Sequence, residues 1–323
     1  MVLKQFTKAS SGSVPISPAN DASSLRDRVI ALSQTIVRAK DYAALTKPRV
    51  MSLVVFTAVV GLVLAPGQVT PAIGIATIIC IAIGAGAAGA LNMWYDADID
   101  ALMTRTTARP IPSGRVSPKE ALGFGLLTSA TSVLGLGSAT NLEAAGLLAF
   151  TIFFYVVVYT AWLKRSTPQS IVIGGAAGAA APVISWIAAT GRLGLEPLLL
   201  FLIVFFWTPP HFWALSLNRS SDYRRAGIPV LPVVSGKDET TSQILIYTVL
   251  LLPVSVLPWL FGCAGIAYAA VTLASGTAML LLALRLWRQD VARREAANRL
   301  FAFSIFYVVL LFGTLLLERI ILT

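Results

Sequence analysis

Nine stretches of this chain run for close to twenty residues with few or no charges, at about 50–66, 71–94, 119–139, 142–163, 171–190, 195–217, 242–261, 264–286 and 300–320. A helix needs about 20 apolar residues to cross the ~30 Å hydrocarbon core of a bilayer. In that solvent every backbone amide must also find its partner within its own segment. Runs of this length predict an all-α, polytopic membrane protein, a bundle of about nine transmembrane helices around a central cavity open to the cytoplasmic side. With 56% hydrophobic and only 12% charged residues, the loops leave no room for a soluble domain.

The 25 Lys and Arg exceed the 15 Asp and Glu, a balance that in a soluble protein would point to nucleic acid. Their distribution reads as topology instead, so no nucleic-acid partner is expected. With nine spans, the N-terminus and the loops after spans two, four, six and eight share one side and hold 23 of the 25 basic residues; only Arg192 and Arg319 fall opposite. The positive-inside rule makes that side cytoplasmic and sends the C-terminus to the periplasm. Residues 1–24 are Ser-rich and polar and are expected to be disordered. Residues 25–45 set Leu25, Val29, Leu32 and Ile36 against Arg26, Arg28 and Lys40, which predicts an amphipathic helix on the membrane surface. Residues 46–323 form the transmembrane domain. Asp27 and Asp41 argue against a mitochondrial transit peptide and for a bacterial inner membrane. Cys80 and Cys263 lack Cys-x-x-Cys spacing or a His cluster and read as buried packing residues. Gly174 and Gly178, four apart, read as a close helix contact.

Directly after the second apolar run comes "NMWYDADIDALMTRTTARPIPSGR", residues 92–115. If the helix continues into this loop, Asn92, Asp96 and Asp100 share one face at i, i+4 and i+8, and Asp98 points elsewhere. Such oxygens suit a hard cation such as Mg2+, whose remaining shell is water and substrate phosphate; the competing reading is a solvated interfacial turn. Arg105, Arg109 and Arg115 follow, interleaved with Thr104, Thr106 and Thr107. Carboxylates with a metal, facing guanidiniums and hydroxyls, make a polyphosphate receptor. The positive-inside rule accounts for the arginines but leaves the aspartates unexplained.

Span four ends in Lys164 and Arg165, a turn beyond Tyr159, where snorkelling is a sufficient alternative explanation. Span six runs into "FFWTPPHFWALSLNRSSDYRRAGIPVLPVV", in which Pro209 and Pro210 are expected to break or kink the helix. His211, the one His in the chain, follows them among Trp207, Phe212 and Trp213. It is a candidate for ligand binding or acid–base work, against the alternative of a hydrogen-bonded packing residue. Asp222, Arg224 and Arg225 then repeat the acid-plus-Arg composition of the first loop. Two such loops on one side point to a pocket for a charged head whose hydrophobic tail lies among the spans. A tail of about fifteen carbons, at ~0.8 kcal/mol per methylene, contributes on the order of 10 kcal/mol before ordering costs.

"NMWYDADID" resembles the N-x-x-x-D-x-x-x-D motif of the intramembrane aromatic prenyltransferase superfamily, in which two acidic motifs bind Mg2+ and an allylic diphosphate. The closer resemblance is to its protoheme IX farnesyltransferase (haem O synthase) branch. It is carried by "DYAALTKPRVMSLVVFTA", "NMWYDADIDALMTRTTARPIPSGRVSP", "YTAWLKRSTPQSIVIGGAAGA" and "WTPPHFWALSLNRSSDYRRAGIPVLPVV", within residues 41–240. The resemblance implies that Asn92, Asp96, Asp100 and Asp222 hold metal, and that Arg105, Arg109, Lys164, Arg165, Arg224 and Arg225 contact the diphosphate. It implies catalytic roles for Asp96, Asp100, Lys164 and His211, and haem contact by His211, Trp207 and Trp213. Arg219 and Tyr223 stand where relatives carry Asp, which leaves one or two Mg2+ ions open. The implied substrates are farnesyl diphosphate and haem B, the latter not a prosthetic group, with membrane lipid around them. Handover of the product to haem A synthase or terminal oxidase assembly is implied by the family alone. His211 is read as a haem ligand, an orienting group or a proton acceptor.

Rival readings are a prenyltransferase with another aromatic or quinone acceptor, and a transporter of haem or an anionic lipid. Against transport, all candidate ligands lie on one side and no ionisable relay crosses the middle of the spans.

Overall fold

The computed structural model describes residues 36–67, 69–289 and 293–322. The expected disordered segment 1–24, and residues 25–35 of the expected surface helix, lie outside the described residues; Ile36–Leu45 is helical. The chain divides into two units, Met1–Asp41 and Tyr42–Thr323. In the first, the described residues 36–41 are helical; the second carries everything that follows.

The protein is all-helical, with no strand among the described residues. Eight helices are long and apolar enough to cross a bilayer, and a ninth is reached when Ile36–Leu45 and Pro48–Leu64 count as one bent segment. In order, the spans are Pro48–Leu64, Pro71–Tyr95, Pro118–Ala139, Leu142–Ser166, Ser170–Thr190, Leu195–Leu217, Gly236–Leu260, Ile266–Arg288 and Arg293–Leu322. Local chemistry starts and stops them where the sequence changes. Proline opens spans one, two and three, where its missing amide costs nothing. Ser117 and Glu120 form a capping box, and Asn141 caps span four by accepting from the Ala144 amide at 2.9 Å.

Neighbouring helices pack two and three with each other, then six with seven, seven with eight, and eight with nine. Two apolar cores result. One gathers Ile203, Trp213, Tyr268 and Phe312 among spans five to nine, with Val60 of span one; the other gathers Ile81, Leu136, Leu148 and Ile184 among spans one to five. The helices approach closely because small residues line the seams, as lipid-embedded packing requires. A Cβ on Gly61 would come within 2.4 Å of the Pro182 carbonyl.

Three expectations change at this level. Gly174 is a close contact, since a Cβ there would reach the Tyr159 ring at 2.2 Å, but Gly178 meets nothing within 4 Å. Cys263 lies in the turn between Leu260 and Ile266, and both cysteines are half-buried. Span six continues through Pro209 and Pro210 to Leu217 without a break. Both prolines are buried, and spans seven and nine pack along this helix and hold it against the loss of two amide donors.

Candidate active site

Span two ends at Tyr95, but its hydrogen bonding carries on past that point. The Asp96 amide donates to the Asn92 carbonyl at 2.9 Å, and the Asp100 amide to the Asp96 carbonyl at 2.8 Å. Asn92, Asp96 and Asp100 therefore share one face, as the spacing predicts, and they are 4%, 0% and 2% exposed. A solvated turn would leave them in water. A buried carboxylate at the negative end of a 25-residue helix dipole is doubly unfavourable, so cations must hold it.

Those cations come from three directions. Lys164 pairs with Asp96 Oδ2, and Arg109 Nη1 pairs with Asp100 Oδ2 at 2.6 Å. The Asn92 amide nitrogen donates to Asp96 Oδ2 at 2.8 Å and to Thr160 Oγ1 at 2.9 Å. The Asn92 side-chain oxygen accepts from Lys47. Lys47 also lies in electrostatic reach of Asp96, Asp100, Arg109 and Lys164. Sequence reasoning missed this residue. The clue is the small-residue run "GAGAAGA" at 84–90, because a Cβ on Gly86 would press to 3.0 Å from Thr46 and one on Gly89 to 3.5 Å from the Leu45 carbonyl. Chain 45–46 can thus lie on span two. Lys47 then turns in the left-handed region at φ 51, a conformation that costs a non-glycine residue about 1–2 kcal/mol.

Lys164 and Thr160 reach the same site because residues Phe154–Leu163 of span four wind as a wide π-helix. Thr160 Oγ1 donates to the Tyr155 carbonyl five residues back, at 2.8 Å. Such segments are uncommon and concentrate at functional positions. Tyr155 and Tyr159 stack at 5.3 Å, and Tyr159 is in electrostatic reach of Asp96, Arg105 and Tyr223. Arg165 turns outward to Asp98 with two bonds of 2.8 Å, covers the Tyr95 ring at 4.8 Å, and approaches Asp96 Oδ1 to 3.7 Å. Its guanidinium holds the exposed Asp98 carboxyl below the usual range.

The second loop docks onto the first. Ile99 and Met103 pack against Tyr223, Ala226, Ile228 and Val230, with Phe212 at the edge. Arg105 donates to the Tyr223 hydroxyl at 3.1 Å. Burial raises the Tyr223 phenol. Asp222, however, does not join the first acidic face. It pairs with Arg225 and accepts from Thr104 at 3.3 Å, and Arg225 also donates to Thr104 at 3.1 Å. Among the described residues no three His, Cys, Asp or Glu side chains come together as metal ligands. Of the four residues expected to hold metal, Asn92, Asp96 and Asp100 share one face, while Asp222 is held by Arg225 and Thr104 in the second loop. The three on one face fit a hard ion completed by substrate oxygens, because Asp96 Oδ1 is buried with no hydrogen-bond partner. Arg224 is exposed, and Arg115 donates to the Ala108 carbonyl of its own loop at 3.0 Å.

His211 stacks between Trp207 at 4.3 Å and Phe301 at 4.7 Å. Trp213 is not part of this group. It is fully buried in the core, edge-on to Tyr247 at 5.4 Å, because two residues along a helix turn a side chain by about 200°.

The UbiA prenyltransferase family matches residues 54–310. The protoheme IX farnesyltransferase of Azorhizobium caulinodans is 60% identical over 284 residues, covering 87% of this chain and 92% of its own. That of Parvibaculum lavamentivorans is 57% identical over 283 residues, covering 87% and 89%. Among solved structures, one concerned with digeranylgeranylglyceryl phosphate synthase in membranes superposes with a TM-score of 0.73 at 16% identity, covering 88% of this chain and 99% of that one. A UbiA homologue from Archaeoglobus fulgidus bound to DMAPP and Mg2+ gives 0.66 at 15% identity, covering 85% and 99%. Identities that low speak for the fold, while the family match spans well over half of the chain and includes the whole acidic face. This protein belongs to the UbiA prenyltransferase family.

Proposed function

We propose that this protein transfers the farnesyl group of farnesyl diphosphate to a vinyl group of haem B, with addition of water, to give haem O. The observation that carries the reading is the buried Asn92–Asp96–Asp100 face, with an Asp96 oxygen that accepts no hydrogen bond, ringed by Lys47, Lys164, Arg109 and Arg165. The choice of substrates is supported by relatives of about 60% identity named for that reaction.

Asn92, Asp96 and Asp100 would hold Mg2+, which supplies Lewis-acid neutralisation of the departing diphosphate. The pairing of Asp222 with Arg225 favours one ion over two. Lys47, Lys164, Arg105, Arg109 and Arg165 bind the phosphate oxygens, the arginines as bidentate forks. The arginines carry their charge before the reaction begins, so it stabilises the leaving group without reorganisation. When the allylic C–O bond breaks, the faces of the stacked Tyr155 and Tyr159 suit the farnesyl cation. The cation is attacked by a vinyl carbon of haem B. The porphyrin-stabilised cation that results takes up water and loses a proton, leaving the hydroxyethylfarnesyl group. No side chain needs to act as a nucleophile; holding the two substrates in line supplies the rate.

The basic loops would set this site at the cytoplasmic side of a bacterial inner membrane, with the central cavity opening there. The product would pass to haem A synthase or terminal oxidase assembly. The test uses the purified protein in detergent with haem B and farnesyl diphosphate, with Mg2+ or with chelator, followed by mass spectrometry of the extracted haem. Metal-dependent gain of a farnesyl and a hydroxyl is the expected result. Unchanged haem with both substrates bound would overturn the reading in favour of another acceptor or of transport.

A further inference from the structure

His211 has a neighbour that neither the motifs nor the family reading uses. Ser304 of span nine is fully buried, and its Oγ lies 2.7 Å from His211 Nδ1 and 2.7 Å from the Phe301 carbonyl. A hydroxyl has one hydrogen, and a carbonyl has none to give. Two oxygens at 2.7 Å without a hydrogen between them repel, so the Ser304 proton goes to Phe301. The contact to His211 is then a hydrogen bond only if Nδ1 brings its own proton. In the neutral imidazole this leaves the lone pair on Nε2.

We infer that Ser304 is a positioning residue that holds His211 as the Nδ1–H form, so that Nε2 ligates the iron of the porphyrin substrate. This deepens the haem reading above and rests on it. The Nε2 atom makes no hydrogen bond among the described residues, and the ring is half-buried, whereas Trp207 and Ser304 around it are buried. A histidine kept for packing in an apolar bundle has both nitrogens satisfied. Here Nδ1 is satisfied within the fold, and Nε2, which is not among the buried atoms lacking a partner, is left for a ligand. Trp207 and Phe301 cover the two faces at interplanar angles of 20° and 25°, so the edge is the part of the ring left to meet a ligand. The clamp is also tied to Ser304 through its backbone, whose carbonyl accepts from Trp207 Nε1 at 2.7 Å. A neutral imidazole whose far nitrogen donates to a fixed oxygen is the arrangement that orients a histidine toward a metal. A quinone or phenol acceptor has no use for it. Six residues before the end of span six, His211 lies about 9 Å along the helix from the loop carrying Asp222.

The experiment titrates haem B into the full-length protein in detergent, without farnesyl diphosphate, and follows the iron by absorption and by resonance Raman of the ferrous form. Wild type is expected to show an iron–histidine signature. His211→Gly should lose it, and added imidazole should restore it. Ser304→Ala should keep the protein folded but weaken haem affinity about tenfold, the low end of the effect of removing such a partner; Ser304→Thr should recover it. An unchanged signature in His211→Gly, or unchanged affinity and signature in Ser304→Ala, would overturn the inference. Product analysis of the same samples separates the two claims. Farnesylated haem from a wild type lacking histidine ligation sinks the ligand role alone; neither haem binding nor product from wild type sinks the haem reading and this inference with it.

Discussion

The loops after spans two and six have the same composition, acids followed by arginines, and the structure uses them differently. In the first, Asp96 is gripped by Lys164, 68 residues away, and Asn92 by Lys47, 45 residues away. In the second, the ion pair of Asp222 is with Arg225 of its own short helix, and its contact across the fold is a 3.3 Å hydrogen bond from the Thr104 hydroxyl. A pair made across the fold can be opened by a substrate without unfolding either loop, because each partner is anchored on a different span. A pair within one turn mostly shapes that turn. On the function proposed above, the first loop is the metal and diphosphate site and the second its wall.

The sharpest way to break this comparison is to neutralise the acids one by one. Asp96→Asn and Asp100→Asn are each expected to abolish turnover, by at least about a thousandfold, in protein that still folds; chelation of Mg2+ should match them. Asp222→Asn should cost about tenfold or less. Comparable losses in all three, measured as product per minute at saturating Mg2+, would erase the distinction between the loops.

Next in size are the long-range cations. Lys47→Met and Lys164→Met each remove a charge-assisted contact of about 1.5–3 kcal/mol, so kcat/KM for farnesyl diphosphate should fall about 10–100-fold. A loss in Lys47→Met no greater than in Arg224→Met would show that Lys47 is a structural residue. Gly174→Ala tests the wall beneath the site. The new methyl would meet the Tyr159 ring at 2.2 Å, and overpacking of this kind costs about 1–3 kcal/mol, to be read as a lower melting temperature together with reduced turnover.

The smallest effect belongs to the exposed Asp98–Arg165 pair, worth well under 1 kcal/mol. The Asp98 carboxyl is lowered in the folded protein, so its contribution is present above the unfolded value near ~3.9 and is lost as pH falls through the folded value. Melting curves of wild type and Asp98→Asn should differ slightly at neutral pH and converge in acid. A large difference in turnover would bring Asp98 into the site.

The amino-acid sequence by itself determined the spans and the acidic face. Each rests on a local rule: apolar length against bilayer thickness, and the helical period that aligns Asn92, Asp96 and Asp100. It also offered the second loop's acid and arginines, but not their pairing. Trp213 packs away from His211 and Trp207, because neighbours in sequence are not neighbours around a helix. What only the tertiary structure decided is which distant groups meet. Lys47 reaches Asn92 because glycines at 86 and 89 let the chain lie against span two. Thr160 and Lys164 reach the site because span four winds wide over Phe154–Leu163. Ser304 meets His211 across 93 residues because spans six and nine pack together. Periodicity reports the face a residue occupies on its own helix, and the packing of small residues between helices decides what that face will touch.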